Sequence, residues 1–220
     1  MDLNFTEEEE AFRVEVREYL KTNLPKSFET RDDTDGWYRK LAAKGWLCHS
    51  WPKEAGGPGW SLAQQYIYKD EASKLSAPHG DMGVTMIGPL LIQYGTPEQK
   101  AAYLPKLASG EMIASFALTE PDAGSDAGSV RTSARRDGDH FVLNGTKRFI
   151  TNAPHAHVFT VFARTDHTTT NASGVSAFLV EAGTPGLSVG PHDRKMGQKG
   201  SHSSDVILQD VRVPADNIIG

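Results

Sequence analysis

The hydrophobic period changes once along the chain, near residue 113, and this limits the possible folds more than any other feature. Before that point apolar residues recur every three or four positions. After it they alternate in short runs separated by turn residues. A chain that reads this way is helical first and β second, an α+β arrangement. Thr6 and Glu9 make a capping box, and the glutamates at 7–10 suit the positive end of a helix. Phe12, Val16, Tyr19 and Leu20 then bury one helix face, and Pro25 closes it. A second helix carries Trp37 and Leu41 and stops at Gly45. The Gly/Pro-rich stretch Trp51–Trp60 is a loop before a third helix opening near Ser61.

From Gly80 to Tyr94, Met82, Met86 and Leu90 mark one side of a helix, and Val84, Ile87 and Leu91 mark another. That pattern predicts a helix buried on most of its circumference. Gly83, Gly88 and Pro89 weaken it, so close packing or a bound ligand must compensate. Gly95 ends it, and Thr96-Pro97-Glu98-Gln99 opens the next with cap, first-turn proline and return partner in place. Beyond residue 113, Asp137-Gly138 and Asn144-Gly145 read as hairpin turns flanking His140–Leu143. Further strands are predicted at 158–163, 175–180 and 205–213. Short strands at this spacing imply a sandwich or small barrel. The expected organisation is an all-helical domain over residues 1–113, followed by a small β-barrel or sandwich domain over 114–220.

The formal net charge of −5, with positive residues scattered, argues against nucleic-acid binding. The densest basic group, Arg131, Arg135 and Arg136, suits a solvated hairpin. The single cysteine, Cys48, excludes an intrachain disulfide framework and reads as a small core residue in a reducing compartment. The start of the chain is acidic where a targeting peptide would be basic, and no apolar run approaches membrane-span length. A soluble, cytoplasmic protein is expected. His155 and His157 alternate as two ligands on one strand face would, but no third ligand accompanies them, so no metal site is expected. His192 and His202 read as solvated loop residues.

The richest segment for chemistry runs from Phe116 to Ser129, FALTEPDAGSDAGS. It reads as a strand entering a loop with Gly124, Ser125, Asp126 and Gly128. Its glycines allow close backbone approach, and its N–H groups and small hydroxyls suit phosphate oxygens or polar ring edges. An ordinary polar turn explains it equally well. It is neither a Walker loop nor a GxGxxG turn.

The string Ala117–Asp126, ALTEPDAGSD, closely resembles the signature of the acyl-CoA dehydrogenase family. Asn144–Asn152, NGTKRFITN, resembles the family's NG-x-K-x-aromatic-I-T/S-N segment. Lys195-Met196-Gly197 with Asp210–Pro214 resembles the end of its middle domain, and Thr96–Leu107 fits its helical part. The resemblance implies an FAD site on the β domain. Phe116, Leu118 and Thr119 should meet the pyrimidine side of the isoalloxazine. Gly124 and Ser125 should lie by the pyrophosphate, with Ser125 also near the thioester substrate. Phe149 should pack on the ring, and Thr151 should hydrogen-bond near N5; Ile150 between them is carried in the same set. Asp81 and Thr85 could by analogy face the acyl pocket, and a helix face packed on its neighbours is an equal reading.

By the same resemblance the activity is α,β-dehydrogenation of an acyl-CoA, with an electron-transfer flavoprotein as acceptor and a dimeric or tetrameric homo-oligomer as the assembled form. The family's base is a glutamate from a C-terminal helical bundle, which is absent from these 220 residues. No residue here is therefore assigned as catalytic; Glu120 is read as structural, and the chain alone is expected to show little turnover. A non-catalytic subunit pairing with another chain, an acyl-CoA oxidase or a related flavin monooxygenase are the alternative readings.

Overall fold

The computed structural model describes residues 4–220; residues 1–3 of the acidic start lie outside them. Five α-helices come first: α1 (Glu7–Asn23), α2 (Arg31–Ala43), α3 (Leu62–Lys74), α4 (Gly88–Tyr94) and α5 (Pro97–Ala108). Four of them begin at a hydroxyl N-cap whose side chain accepts from the third helical N–H. Thr6, Ser61 and Thr96 pair with Glu9, Gln64 and Gln99, and Thr30 pairs with Asp33. Each reciprocal cap satisfies N–H groups that a helix start otherwise leaves open.

Val16, Leu20, Trp37, Leu41, Tyr68 and Leu91 are buried in one cluster between these helices. Cys48 lies in the same core, where burial pushes its thiol up to about 12, so it is an inert packing residue. Between α1 and α3 sits Glu71, only 2% exposed. Arg17 Nε donates to it at 2.8 Å, Arg13 Nη1 at 3.1 Å and Lys74 Nζ at 3.0 Å. The hydrogen bond from Arg17, joined by those from Lys74 and Arg13, overcomes burial and lowers the carboxyl to about 2.

The 80–94 segment departs from the expected uniformly buried helix. It opens with a π-helical turn over Gly83–Ile87 and continues as α4. Val84, Ile87 and Leu91 are buried, whereas Met86 is 38% exposed and Leu90 is only partly covered. One face packs fully and the other is only partly covered, with Leu90 still touching the helical core. Close packing accounts for both glycines. A Cβ on Gly88 would lie 1.8 Å from Trp51 Cζ2, and one on Gly83 would lie 2.8 Å from Leu107 Cδ2. Trp51 also donates its indole N–H to the Val84 carbonyl at 2.8 Å, inside the π-turn where the regular ladder is interrupted.

The chain leaves α5 at Ala108 and enters β1 (Ala114–Ala117), followed by β2 (Ser133–Asp137), β3 (His140–Thr151), β4 (Val158–Arg164), β5 (Val175–Glu181), β6 (Leu187–Val189), β7 (Ser203–Pro214) and β8 (Ile218–Ile219). These form one mixed sheet in the order β6-β7-β3-β2-β4-β5-β8, with β1 on β4. Most neighbours are antiparallel. β1 runs parallel to β4, pairing Ala114 with Val158 through Ala117 with Val161, and β2 meets the end of β4 in parallel at Ser133 and Arg164. A second core of Phe141, Leu143, Phe159, Phe178 and Val206 belongs to this sheet. The expected hairpin forms one residue further on: Asp137 pairs with His140, and the loop is Gly138-Asp139 with Gly138 at a φ of 64°. Asn144-Gly145 is not a turn. It lies inside β3, at a register shift against β7 between Leu143 and Gly145. The Asn144 amide is used across the ladder instead: it accepts from Asp210 N at 2.9 Å and donates to Asp210 Oδ1 at 3.0 Å. Among the described residues, no helix is long and apolar enough to cross a membrane.

Glu71 gives the helices a defined acid limit. Its folded pKa of about 2 lies below its ordinary value of 4.5. The stabilisation is complete above pH 4.5 and is lost as pH falls toward 2, on the order of 3 kcal/mol in all. Urea unfolding of the protein and of Glu71→Gln across pH 2–6 should show that acid slope in the parent and a flatter one in the variant.

Candidate functional site

Two segments far apart in the chain meet at one corner of the sheet. β1 carries Phe116 and runs on into Leu118 and Thr119, while β3 ends with Lys147 to Thr151. Ser115 is fully buried and its Oγ donates to the Thr151 carbonyl at 2.8 Å. Lys147 Nζ donates to the Leu118 carbonyl at 3.1 Å, and Arg148 N–H donates to the Thr119 carbonyl at 2.7 Å. Phe116, Leu118 and Thr119 are thereby laid against Phe149, Ile150 and Thr151. These are the two groups that the sequence singled out separately.

The next residue, Glu120, is structural. It is 7% exposed, and its carboxylate accepts from Lys147 Nζ at 2.7 Å, Arg131 N at 2.7 Å and Thr132 N at 2.9 Å. Burial raises the Glu120 carboxyl, but the hydrogen bonds from Lys147, Thr132 and Arg131 outweigh it and leave the group below its ordinary value. Burial also pulls the Lys147 ammonium below its ordinary value, against the pull of Glu120. Thr132 approaches because residue 145 has no side chain: a Cβ there would lie 2.4 Å from Thr132 Oγ1.

The end of β3 is conformationally unusual. Phe149 and Asn152 adopt left-handed backbone, with φ of 59° and 65°. Such a conformation costs a non-glycine residue about 1 kcal/mol or more. A second register shift against β7 falls between Lys147 and Ile150. Together these break the alternation of the strand, so Ile150 is buried in the sheet core while Phe149 turns outward, 61% exposed. Any contact Ile150 makes with a ligand must therefore come from its backbone. The Arg148 guanidinium lies 4.7 Å from the Phe149 ring centroid and is paired with Asp205 at 2.5 Å.

Gly124 and Ser125 follow a tight turn closed between Glu120 and Ala123, and both are exposed. A Cβ on Gly124 would meet nothing within 4 Å. Protein packing therefore does not demand glycine there, and the loop is open to a ligand's approach. Its far side is held by Arg164, which sequence reasoning passed over. The Arg164 guanidinium donates to the carbonyls of Gly128, Val130, Thr169 and Asn171 at 2.5–3.1 Å. A lone arginine ending the apolar run 158–163 was the available signal.

Thr151 and Asn152 also line a cleft of about 530 Å³ whose other wall is helical, including Arg31, Tyr38, Asp81, Met82 and Thr85. Asp81 and Thr85 both face it. Asp81 accepts from Gly83 N at 2.9 Å, Thr85 Oγ1 donates to the Asp81 carbonyl at 2.7 Å, and burial pushes the Asp81 carboxyl up. Arg31 spans the gap: Nη1 donates to Asn152 Oδ1 at 3.3 Å, Nε lies 2.8 Å from Asp35, and Nη2 lies 3.9 Å from Asp81.

The histidines are arranged differently from the sequence reading. His155 and His157 do not share a strand face, because His155 closes a 3₁₀ turn while His157 Nδ1 accepts from Ile113 N at 3.0 Å. His202, expected in solvent, lies with Nδ1 2.8 Å from His155 Nε2, and its ring is 4.6 Å from that of His192. Burial lowers both His155 and His202, helped by the charge on Arg31 at His155 and chiefly by the neighbouring imidazoles of His192 and His155 at His202. Among the described residues, no group of three His, Cys, Asp or Glu side chains is placed to hold a metal ion.

Comparison with known proteins bears on the same segments. The chain matches the family description "Acyl-CoA dehydrogenase, N-terminal domain" over residues 6–111 and "Acyl-CoA dehydrogenase, middle domain" over residues 115–211. It is 37% identical to a short-chain specific acyl-CoA dehydrogenase of Clostridium acetobutylicum, an alignment covering all of this chain and 60% of that protein. Among solved structures it resembles the ChsE4-ChsE5 complex of Mycobacterium tuberculosis (TM-score 0.90, 33% identity, 100% of this chain and 57% of that one). It also resembles butyryl-CoA dehydrogenase of Megasphaera elsdenii (TM-score 0.79, 30% identity, 100% and 60%). The chain thus spans about three fifths of the length of these relatives.

The contact at Gly145 is open to direct test. Gly145→Ala should push Thr132 away from Glu120 and cost about 1–3 kcal/mol, read as a lower urea midpoint with unchanged slope. Gly124→Ala, with open space around it, should leave the midpoint of the ligand-free protein within about 0.5 kcal/mol of the parent.

Proposed function

Because the chain belongs to the acyl-CoA dehydrogenase family, we propose that it binds FAD at the β1–β3 corner and serves the α,β-dehydrogenation of an acyl-CoA thioester. The observation that carries this reading is the hydrogen-bonded union of residues 115–119 with residues 147–151. The residues present suit such a cofactor. Phe149 offers an exposed aromatic surface on a backbone held in a costly conformation, and Gly124 sits in open space at the loop. FAD, when bound, supplies the hydride acceptor for the reaction.

The chain's own residues then have distinct tasks. Phe149 covers one face of the ring and keeps water from it. Thr151, which lines the cleft, would offer its hydroxyl to the reacting edge, where a hydrogen bond is worth most as negative charge develops. Leu118 and Thr119 serve the pyrimidine side through backbone and hydroxyl, with Phe116 beside them. Gly124 and Ser125 admit the pyrophosphate, and Ser125 also reaches the thioester. The acyl group enters the cleft lined by Asp81, Met82 and Thr85. No residue of this chain is assigned as the base that removes the α-proton; that group must reach the thioester α-carbon from elsewhere in the working enzyme. An electron-transfer flavoprotein is the proposed acceptor, and the working assembly a homo-oligomer.

FAD titration followed by the visible flavin spectrum and by tryptophan fluorescence tests this reading. Saturable binding is expected, weakened about tenfold by Phe149→Ala, which corresponds to about 1.4 kcal/mol of lost stacking. Anaerobic addition of butyryl-CoA to the 220-residue chain with FAD should produce little bleaching of the flavin band. Rapid bleaching would place the base within this chain and refute its assignment elsewhere.

A further inference from the structure

Among the described residues, Lys147 is the one lysine that is fully buried, and it ranks with the largest fully buried side chains. It is a poor choice for stability alone, since an apolar pair of similar volume often does as well as a buried ion pair. Its ammonium is tied at two points: to Glu120 Oε1 at 2.7 Å and to the Leu118 carbonyl at 3.1 Å. Glu120 in turn holds the N–H groups of Arg131 and Thr132. The next residue along β3, Arg148, fixes the Thr119 carbonyl from its backbone. Leu118, Thr119 and Glu120 are therefore fastened to β3 at three successive residues, and two of the three fastenings end on Lys147. Residues 118 and 119 lie beyond the end of β1, outside its ladder with β4, and the bridge that closes the next turn involves only Glu120 and Ala123. Lys147 itself is sealed from the cleft and from solvent, so it cannot touch a ligand.

We propose that Lys147 is a positioning residue for the cofactor. Acting through the Leu118 carbonyl and through Glu120, it sets the backbone of residues 118–119 in the orientation that receives the flavin's pyrimidine edge. This rests on the FAD reading above. The tie is mechanical: a fixed carbonyl on one side of a peptide fixes the N–H on the other, because the peptide is planar. A buried charge-assisted bond is stiffer than the neutral bonds available to a loop of this kind.

The test separates positioning from stability. Lys147→Met alone would strand the Glu120 carboxylate in the core and endanger folding. The informative variant is Lys147→Met with Glu120→Gln, which removes both charges and keeps an acceptor for the 131–132 amides. Thermal midpoint, FAD dissociation constant and the bound flavin's absorption spectrum are measured on the protein and this variant. The expected result is a folded variant whose FAD dissociation constant rises at least tenfold and whose bound spectrum shifts. Wild-type affinity and spectrum in the folded variant would overturn the proposal, even with a lowered midpoint.

Should the variant not fold, amide hydrogen exchange of the unaltered protein decides. FAD should slow exchange at Leu118 and Thr119, and unchanged exchange there would overturn the proposal. No FAD binding by the unaltered protein would refute the cofactor reading and this inference with it. Normal binding alongside an indifferent double variant refutes this inference alone.

Discussion

A cation with no solvent access is tolerated only where every direction it faces is answered, and Lys147 imposes that demand on the whole β1–β3 corner. Its ammonium needs a carboxylate, so Glu120 must be brought inside. A carboxylate brought inside needs donors, so the chain at 131–132 must fold over it with two N–H groups. That fold-over requires the backbone at Thr132 to press against β3, which is possible because position 145 carries no Cβ. Residues separated by up to 29 positions are thus bound into one arrangement by a single charge. The exposed part of the site, from Thr119 to Phe149, lies over this dry foundation.

The second organising contact is steric. Trp51 occupies the space a side chain at Gly88 would fill and bonds the Val84 carbonyl within the π-turn. The turn carries Thr85 toward the cleft while Val84 and Ile87 remain in the core. The cleft therefore has one wall from the helical half and one from the end of β3 with the loop at 198–202. Arg31 links the two, reaching Asn152 on one side and Asp35 and Asp81 on the other. Both walls include costly local backbone: a π-turn on one, and left-handed Asn152 beside Thr151 on the other.

Much of this was legible in the sequence where the cause is local. Thr6, Ser61 and Thr96 act as caps because a hydroxyl meets an N–H three residues away, and the chain reverses at Gly138-Asp139, one residue on from the expected pair, because Gly138 allows the left-handed backbone there. The motifs around Thr119 and Phe149 could be picked out one at a time, but their union depends on long-range hydrogen bonds that no local pattern encodes. Asn144-Gly145 misled for the same reason: the pair that makes a good hairpin turn also makes a good bulge, and the decision rests with Thr132 and Asp210, far away in sequence. Met82, Met86 and Leu90 promised burial by period, yet period reports only which residues share a face, and here Met86 is exposed while Met82 and Leu90 are only partly covered. His202 looked solvated because its partners, His155 and His192, reach it only through the tertiary fold.

The pairing of β1 with β4 has a consequence for the order in which this chain leaves the ribosome. Synthesis proceeds from the N-terminus, and completed domains tend to fold as they emerge. Ser115, Leu118 and Thr119, however, bond to residues 147–151, and β1 itself pairs with 158–161. When the segment 114–120 emerges, none of these partners has yet emerged. Even α5 waits, since Gln99 donates at 2.8 Å to the carbonyls of Asp216 and Ile218 near the far end. The helices can collapse on Trp37 and Leu41 while translation continues, but the strand that carries Phe116 must stay unpaired through some forty further residues. On a nascent chain, that strand is the exposed edge most in need of a chaperone's cover.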